Sequence, residues 1–469
     1  MILGPVLERF IQDAPMPLMF RALLERALDP AELDAMFEAT ATRQYTRELL
    51  FSAIVDLLAV VVFRMRPSVR RAYLSSSGMM ATLTAVYEKL KGTEPEVCRG
   101  LVRSTTARLL EILTAVEGSR PAILPGYAVR ILDGNHLSGT EHRIPETRGL
   151  SQAILPGQSL VVLDADTGLV RDVVPCEDAH ASEQALLDQV LSRCSPGELW
   201  IEDRNFCAAH FVRQVARRGA FFLVRQHANM IHVEPLSGYV AGGRVPTGTV
   251  AEQEVLIVEM DGRGRPRRDE RGERLVLKAR RVCIALDRPT QDGDTEVVLL
   301  SNLPGTDADA CRLSELYLKR WTIEHIFQTL TQVLRCEVNT LAYPGAALLG
   351  FCVAVVGYNV LTVMRAALRA EHGAEAVDGQ VSDYHLMCEV IENYKGMTVA
   401  APPESWVAIR ALSPGEFAGL LREVASQVRL ARYPLTKRRP KPAGARPRKR
   451  TSGEHLATSR LLDQRKSKK

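Results

Sequence analysis

The sequence predicts an α/β protein with a helical N-terminal region, a core of strands and helices interrupted by a β-rich insertion, and a helical C-terminal region. Three observations carry this reading. Up to about residue 125 the apolar residues recur at helical spacing. From Tyr127 they shift to short Val-, Leu- and Ile-rich runs separated by Gly or Asp turns, and after Asn302 helical spacing returns through about Ala431. With 469 residues, 46% of them hydrophobic and 25% charged, the chain has ample core for roughly two to four domains.

In the N-terminal region, Pro30 sits at the first position of a helix PAELDAMFEAT, where proline is well tolerated. Thr46 to Phe63 is an apolar run too long for a strand, YEKLKG ends at a C-cap glycine, and Pro95 to Ala115 makes a further helix. RMRPSVRRAYL gathers Arg64, Arg66, Arg70 and Arg71, as either a solvated helix start or a phosphate-contacting face.

AVRILDG, SLVVLDAD and LVRDVVP read as three strands of a meander, with a DADTGL hairpin turn that places Gly168 in a left-handed conformation. A helix from about Ala181 to Arg193, the strand LWIED ending at Asp203, a helix from Ala208 to Arg218 and the strand AFFLVRQ follow. The helix before LWIED allows a right-handed crossover, so the fourth strand can return parallel to the first. Asp133 and Asp203, each near a strand's C-terminal end, then become neighbours.

Between residues 226 and 302, EQEVLIVEM, RLVLKARRVCIAL and EVVLLSNL read as an antiparallel insertion. Its loop DGRGRPRRDERGE begins a locally basic protrusion from Asp261 to Arg281. Next comes YLKRWTIEHIFQTL. As one helix it puts Tyr317, Arg320 and Glu324 on one face, and Trp321, Ile323, Phe327 and Leu330 on the other. The uncharged stretch Leu341 to Met364 is long enough to cross a bilayer. Its Pro344, Gly345, Gly350, Gly357 and Asn359, and the lack of a positive-inside pattern, favour a buried helix.

The net charge of +5 is unevenly placed. From Thr436 onward there are thirteen Lys or Arg against Glu454 and Asp463, the pattern of a nucleic-acid-binding arm. This tail, 434–469, is too poor in apolar residues to order itself alone. Nine cysteines stand singly without a CxxC pair, which argues against a zinc site or disulfide framework and for a reducing cytosol. The N-terminus has no signal-peptide pattern.

Asp133, Asp203 and Glu324 form an oxygen-only donor set suited to Mg²⁺, and two such ions would serve an in-line displacement at phosphorus. Other candidates have simpler explanations. Asp164 and Asp166 belong to the DADTG turn, and Glu177, Asp178 and His180 suit a helix N-terminus. His136 and His325 are read as supporting or structural residues, because a His ligand favours transition metals over Mg²⁺. Arg204 and Asn205 orient Asp203, touch DNA or cap the turn.

The motifs ILDGNHL, WIEDRNF and YLKRWTIEHIF resemble those of bacterial insertion-sequence transposases of the DDE type, the IS-four class. The resemblance extends through LPGQSLVVLD and CEDAHASEQALL over about Tyr127 to Leu368, and more weakly through YEKLKGTEPEV and RMRPSVRRAY. It implies a ribonuclease H-like core with Asp133, Asp203 and Glu324 as the metal-binding triad, and two Mg²⁺ ions for which Mn²⁺ can substitute. It also implies that Tyr317 and Arg320 hold phosphates of the transposon end. Where the family has a Lys after the Glu, this chain has Thr331, and Arg335 is the candidate replacement.

The chain is therefore read as a cut-and-paste DNA transposase. The expected units are a helical DNA-binding domain (1–125), a catalytic domain (126–368, with the insertion at 226–302), a helical region (369–433) and the basic tail. Arg70, Arg71, Arg204, Tyr317, Arg320 and Arg335 are the expected DNA contacts. Partners would be transposon ends and target DNA, bound by a homodimer in the bacterial cytoplasm at the nucleoid, with no membrane. The rivals are a metal-dependent nuclease without strand transfer and a non-catalytic repressor of transposition.

Overall fold

The computed structural model describes residues 5–45, 48–76, 80–138, 140, 144–227, 230–290, 293–338, 340–435 and 455–467. The N-terminal helices are Pro5–Asp13, Pro15–Ala27, Pro30–Thr40, Phe51–Val62, Val69–Ser75, Leu83–Lys91 and Pro95–Val116. Their starts follow local chemistry. Asp29 accepts from the backbone N–H groups of Ala31 and Glu32, and Ser68 and Thr82 cap the helices they precede.

The strands are β1 (Ala128–His136), β2 (Ile154–Leu155), β3 (Gln158–Asp164), β4 (Val170–Cys176), β5 (Glu198–Glu202) and β6 (Phe221–Arg225). The insertion adds β7 (His232–Pro235), β8 (Val240–Val245), β9 (Gly248–Val258), β10 (Val276–Leu286) and β11 (Glu296–Ser301), and β12 (Leu456–Ala457) lies near the C-terminus. The order β4-β3-β1-β5-β6 has β1, β3 and β4 antiparallel, with β5 and β6 parallel to β1. This is the ribonuclease H-like arrangement. Gly168 turns the β3–β4 hairpin at φ 76°. The insertion does not make a sheet of its own. β11 pairs antiparallel with β6, and β10, β9 and β7 continue the core sheet.

Both faces of this sheet are covered. Val129, Ile131, Val161, Leu163, Leu199 and Ile201 join the large core built with the N-terminal helices, whereas Leu132, Leu160, Trp200 and Phe222 pack with Phe211, Val212 and Val215 of helix Ala209–Arg217. Alternation along each strand directs one set of residues to each core.

The uncharged stretch forms helix Pro344–His372, and 94% of its most apolar window is buried inside the protein. Its one central amide explains why it packs where it does. Asn359 is fully buried, and its Nδ2 donates to Thr106 Oγ1 (2.8 Å) and Val170 O (2.9 Å), while its Oδ1 accepts from Val170 N (2.9 Å). One side chain thus ties the long helix to helix Pro95–Val116 and to β4. Asn359→Leu leaves Val170 N without its acceptor, while Thr106 Oγ1 still donates to Val170 O at 3.0 Å, and should cost about 2 kcal/mol in urea unfolding. Unchanged stability would show that Val170 N finds another partner.

The chain end differs from the expectation of a tail that cannot order itself. Tyr433 is buried, and Leu435 N donates to Gln380 O at 2.6 Å. After 436–454, which lie outside the described residues, β12 adds in parallel to β2. Helix Thr458–Lys466 follows. Arg460 pairs with Asp178 (2.9 Å), Arg465 with Glu146 (2.5 Å), and Ala457 and Thr458 are buried. A few small and apolar residues held by backbone pairing and ion pairs are enough to dock this segment, although most of the expected tail is basic.

Candidate active site

β1 and β5 bring the first two carboxylates together by register. Leu132 pairs with Glu202, so Asp133 and Asp203, one residue further on, lie side by side where the pairing of these two interior strands ends. Gly134 N donates to Asp133 Oδ1 at 2.9 Å, and Asp203 leads into the short 3₁₀ turn Arg204–Phe206. Glu202 points the other way. It is fully buried with neither carboxylate oxygen hydrogen-bonded, and burial pushes its pKa well up.

The third carboxylate, Glu324, lies on the second of two helices where the sequence suggested one. Ala310–Leu318 and Trp321–Gln332 meet at Lys319 and Arg320, where Arg320 N bonds Tyr317 O at 3.0 Å, in a turn tighter than an α-helix. Leu313, Leu316, Ile323, Ile326 and Leu330 are buried and hold both helices against the core. Trp321 departs from the expected apolar face. It is 51% exposed, with the Arg320 guanidinium 5.0 Å from its ring centre.

Tyr317, Arg320, Asp133, Asp203 and Glu324 meet at one point. Arg320 Nη1 lies 3.3 Å from Asp133 Oδ2, its Nη2 3.2 Å from Glu324 Oε1, and its Nε 4.0 Å from Asp203 Oδ1. The Tyr317 hydroxyl donates to Asp203 Oδ1 at 3.2 Å. Burial raises the phenol's pKa and the neighbouring Asp203 adds to the rise, so it stays a donor. Burial opposes the charge on Arg320, but the surrounding Tyr317, Asp203, Asp133 and Glu324 outweigh it and raise its pKa. Asp133 is pushed up to about 6, chiefly by burial, with Asp203 and Glu183 adding to the rise and Arg320 and the Gly134 N–H opposing it.

The donor set is chemically right for a hard divalent cation: three carboxylates from three elements already converge on one positive charge. Among the described residues, no group of three His, Cys, Asp or Glu stands ready to hold an ion as arranged. The guanidinium of Arg320 lies between these acids, and an ion would have to take over its contacts.

The other expected DNA contacts are dispersed. Arg204 lines a cleft of about 620 Å³ with Arg225, His227 and Arg281, beside Asp294 and Glu296. Arg225 pairs with Asp294 at 2.6 Å, and Arg204 directly follows Asp203, so the cleft adjoins the carboxylates. Arg70 and Arg71 are exposed on helix Val69–Ser75. Arg335 lies beyond the end of helix Trp321–Gln332, and its Nη1 donates to Pro67 O at 2.9 Å. Arg64 caps that helix end through the carbonyls of Thr331 (3.2 Å), Gln332 (3.0 Å) and Leu334 (3.3 Å), a structural role at the position of the missing Lys. In the protrusion, Arg265, Arg267, Arg274, Lys278 and Arg280 are each paired with an acid.

Sequence reasoning missed the cleft, because it assembles from β6, β10 and β11, which are far apart in the chain. It also missed Glu183, which the 3₁₀ turn Glu183–Leu186 after β4 carries toward Gly134 of β1. EDAH is not a helix start: the 3₁₀ turn begins at Glu183, and Asp178 is taken by Arg460.

Residues 125–353 match the family described as Transposase DDE domain. No curated protein sequence matches the chain. A cryo-EM structure of a piggyBac transposase synaptic complex with hairpin DNA aligns over 84% of each chain, at 10% identity and a TM-score of 0.36, a likeness too loose to carry an argument about this chain.

Proposed function

We propose that this chain, whose residues 125–353 match the transposase DDE domain, is a DNA transposase that excises an insertion sequence and joins it to target DNA. The observation that carries the reading is the convergence of Asp133, Asp203 and Glu324 on the single guanidinium of Arg320. Asp133, Asp203 and Glu324 would hold divalent ions, Mg²⁺ or Mn²⁺. Such ions stabilise the attacking and leaving oxygens of a displacement at phosphorus.

The chain's own residues do the rest. Tyr317 orients Asp203 through its hydroxyl. Arg320 turns from the carboxylates to the phosphate at the cleavage point, an exchange of one anionic partner for another. The cleft of Arg204, Arg225 and Arg281 takes the backbone next to that phosphate, and Arg70 and Arg71 take more distant phosphates, so binding weakens steeply with salt. The first strand is cut by water. The freed 3′-hydroxyl then attacks the opposite strand to close a hairpin, and after the hairpin opens it attacks target DNA. Each attack forms one P–O bond as another breaks. Two ends held together call for a homodimer on DNA.

The test is a joining assay. The purified chain, Mg²⁺ and a linear fragment carrying the DNA that flanks the gene are mixed with a plasmid target. Covalently joined products are expected. Ends that are cut but never joined would transfer the assignment to the nuclease reading, and bound but uncut ends to the repressor reading.

A further inference from the structure

A fourth carboxylate stands at the same site. Glu183 opens the 3₁₀ turn Glu183–Leu186 after β4, and buried Leu186 and Leu187 fix that turn in the smaller core. A β-carbon built on Gly134 would lie 1.9 Å from Glu183 Oε1 and 2.8 Å from its Cδ. Gly134 follows Asp133 directly and is not in a left-handed conformation. Glycine leaves room there for the Glu183 carboxylate, the end of a flexible side chain that a β-carbon would push aside. On its other side Glu183 lies near the Asn205 side chain, which favours its charged form, and the neighbouring Gln184 Nε2 donates to Asn205 O at 3.3 Å. Asn205 comes two residues after Asp203. Glu183 therefore touches the segments that carry Asp133 and Asp203 at once. Its charge is felt by Asp133, and it feels that of Asp203, while His136 opposes these like charges.

We propose that Glu183 is a positioning residue of this site, setting through its charge and its contacts with Gly134 and Asn205 how tightly Asp133 and Asp203 take a divalent cation. The inference rests on the metal-dependent reading above and adds a residue to it. Like-charged carboxylates held this close repel one another until a cation arrives, so part of the affinity for that cation comes from Glu183. The same packing gives Gly134 a function: a side chain there would displace Glu183.

The test is a Mn²⁺ titration of the full chain without DNA, followed by electron paramagnetic resonance and calorimetry. Glu183→Gln keeps the size and a hydrogen-bonding end for Asn205 but removes the charge. It should weaken Mn²⁺ binding about 10-fold or more, with an unchanged melting temperature. Glu183→Asp should recover part of the loss. Gly134→Ala should weaken binding similarly in the parent, yet add nothing in a Glu183→Ala background, because the group it displaces is gone. Parent-like Mn²⁺ affinity in Glu183→Gln overturns the inference and leaves the metal reading standing. No Mn²⁺ binding by the parent overturns the metal reading and this inference with it.

Discussion

Asp203→Asn should lose cleavage of transposon ends in Mg²⁺ by about 10³-fold or more, or roughly 4 kcal/mol of transition-state stabilisation. The substitution is nearly isosteric. Its amide oxygen can still accept from the Tyr317 hydroxyl, 3.2 Å from the present Oδ1, and the backbone turn into Arg204–Phe206 does not involve the side chain. Folding should therefore be intact by circular dichroism while strand cutting, followed on a denaturing gel, disappears. Glu324→Gln should behave alike. Cleavage by Asp203→Asn at the parent's rate would remove Asp203 from the site and with it the argument from register.

That argument could be made before the structure was known because it depends on short-range information. The alternation and turn chemistry of AVRILDG, SLVVLDAD, LVRDVVP and LWIED set strand polarity, and one crossover helix set the neighbour relation of Asp133 and Asp203. What could not be read is set by long-range contacts. Nothing in YLKRWTIEHIF marks the tight turn at Arg320, because a break of this kind depends on how two helices pack against the core. Arg335 and Arg64 illustrate the same limit: both are arginines in a basic context, yet one is spent on Pro67 and the other on a helix end. Long cationic side chains near an end of a helix find carbonyls as readily as phosphates. Docking of residues 455–467 was hidden because the composition of the whole tail is dominated by its Lys and Arg residues, whereas the contacts are made by Leu456, Ala457, Thr458 and Arg460.

The second large effect is expected at Arg320, where two measurements should move in opposite directions. On the proposed function, Arg320→Gln removes a charge-assisted contact to the DNA end, and cleavage should fall about 10²-fold or more. It also removes the cation that stands between Asp133, Asp203 and Glu324, at 3.3, 4.0 and 3.2 Å. Without DNA or metal, three carboxylates then face one another with no guanidinium. The fold should be destabilised, by up to about 3 kcal/mol if Asp133, the most enclosed of the three, stays ionised. Added Mn²⁺ no longer has to displace a resident charge. It should bind more tightly than to the parent and raise the melting temperature by more, since a ligand of the folded state stabilises in proportion to the logarithm of its concentration over its dissociation constant. Arg320→Lys should not restore cleavage, because a single ammonium cannot reproduce the forked geometry that reaches three acids. Weaker Mn²⁺ binding in Arg320→Gln would show that the guanidinium organises the carboxylates for the metal instead of competing with it, and that the exchange of Arg320 from acid to phosphate is not how the site is loaded.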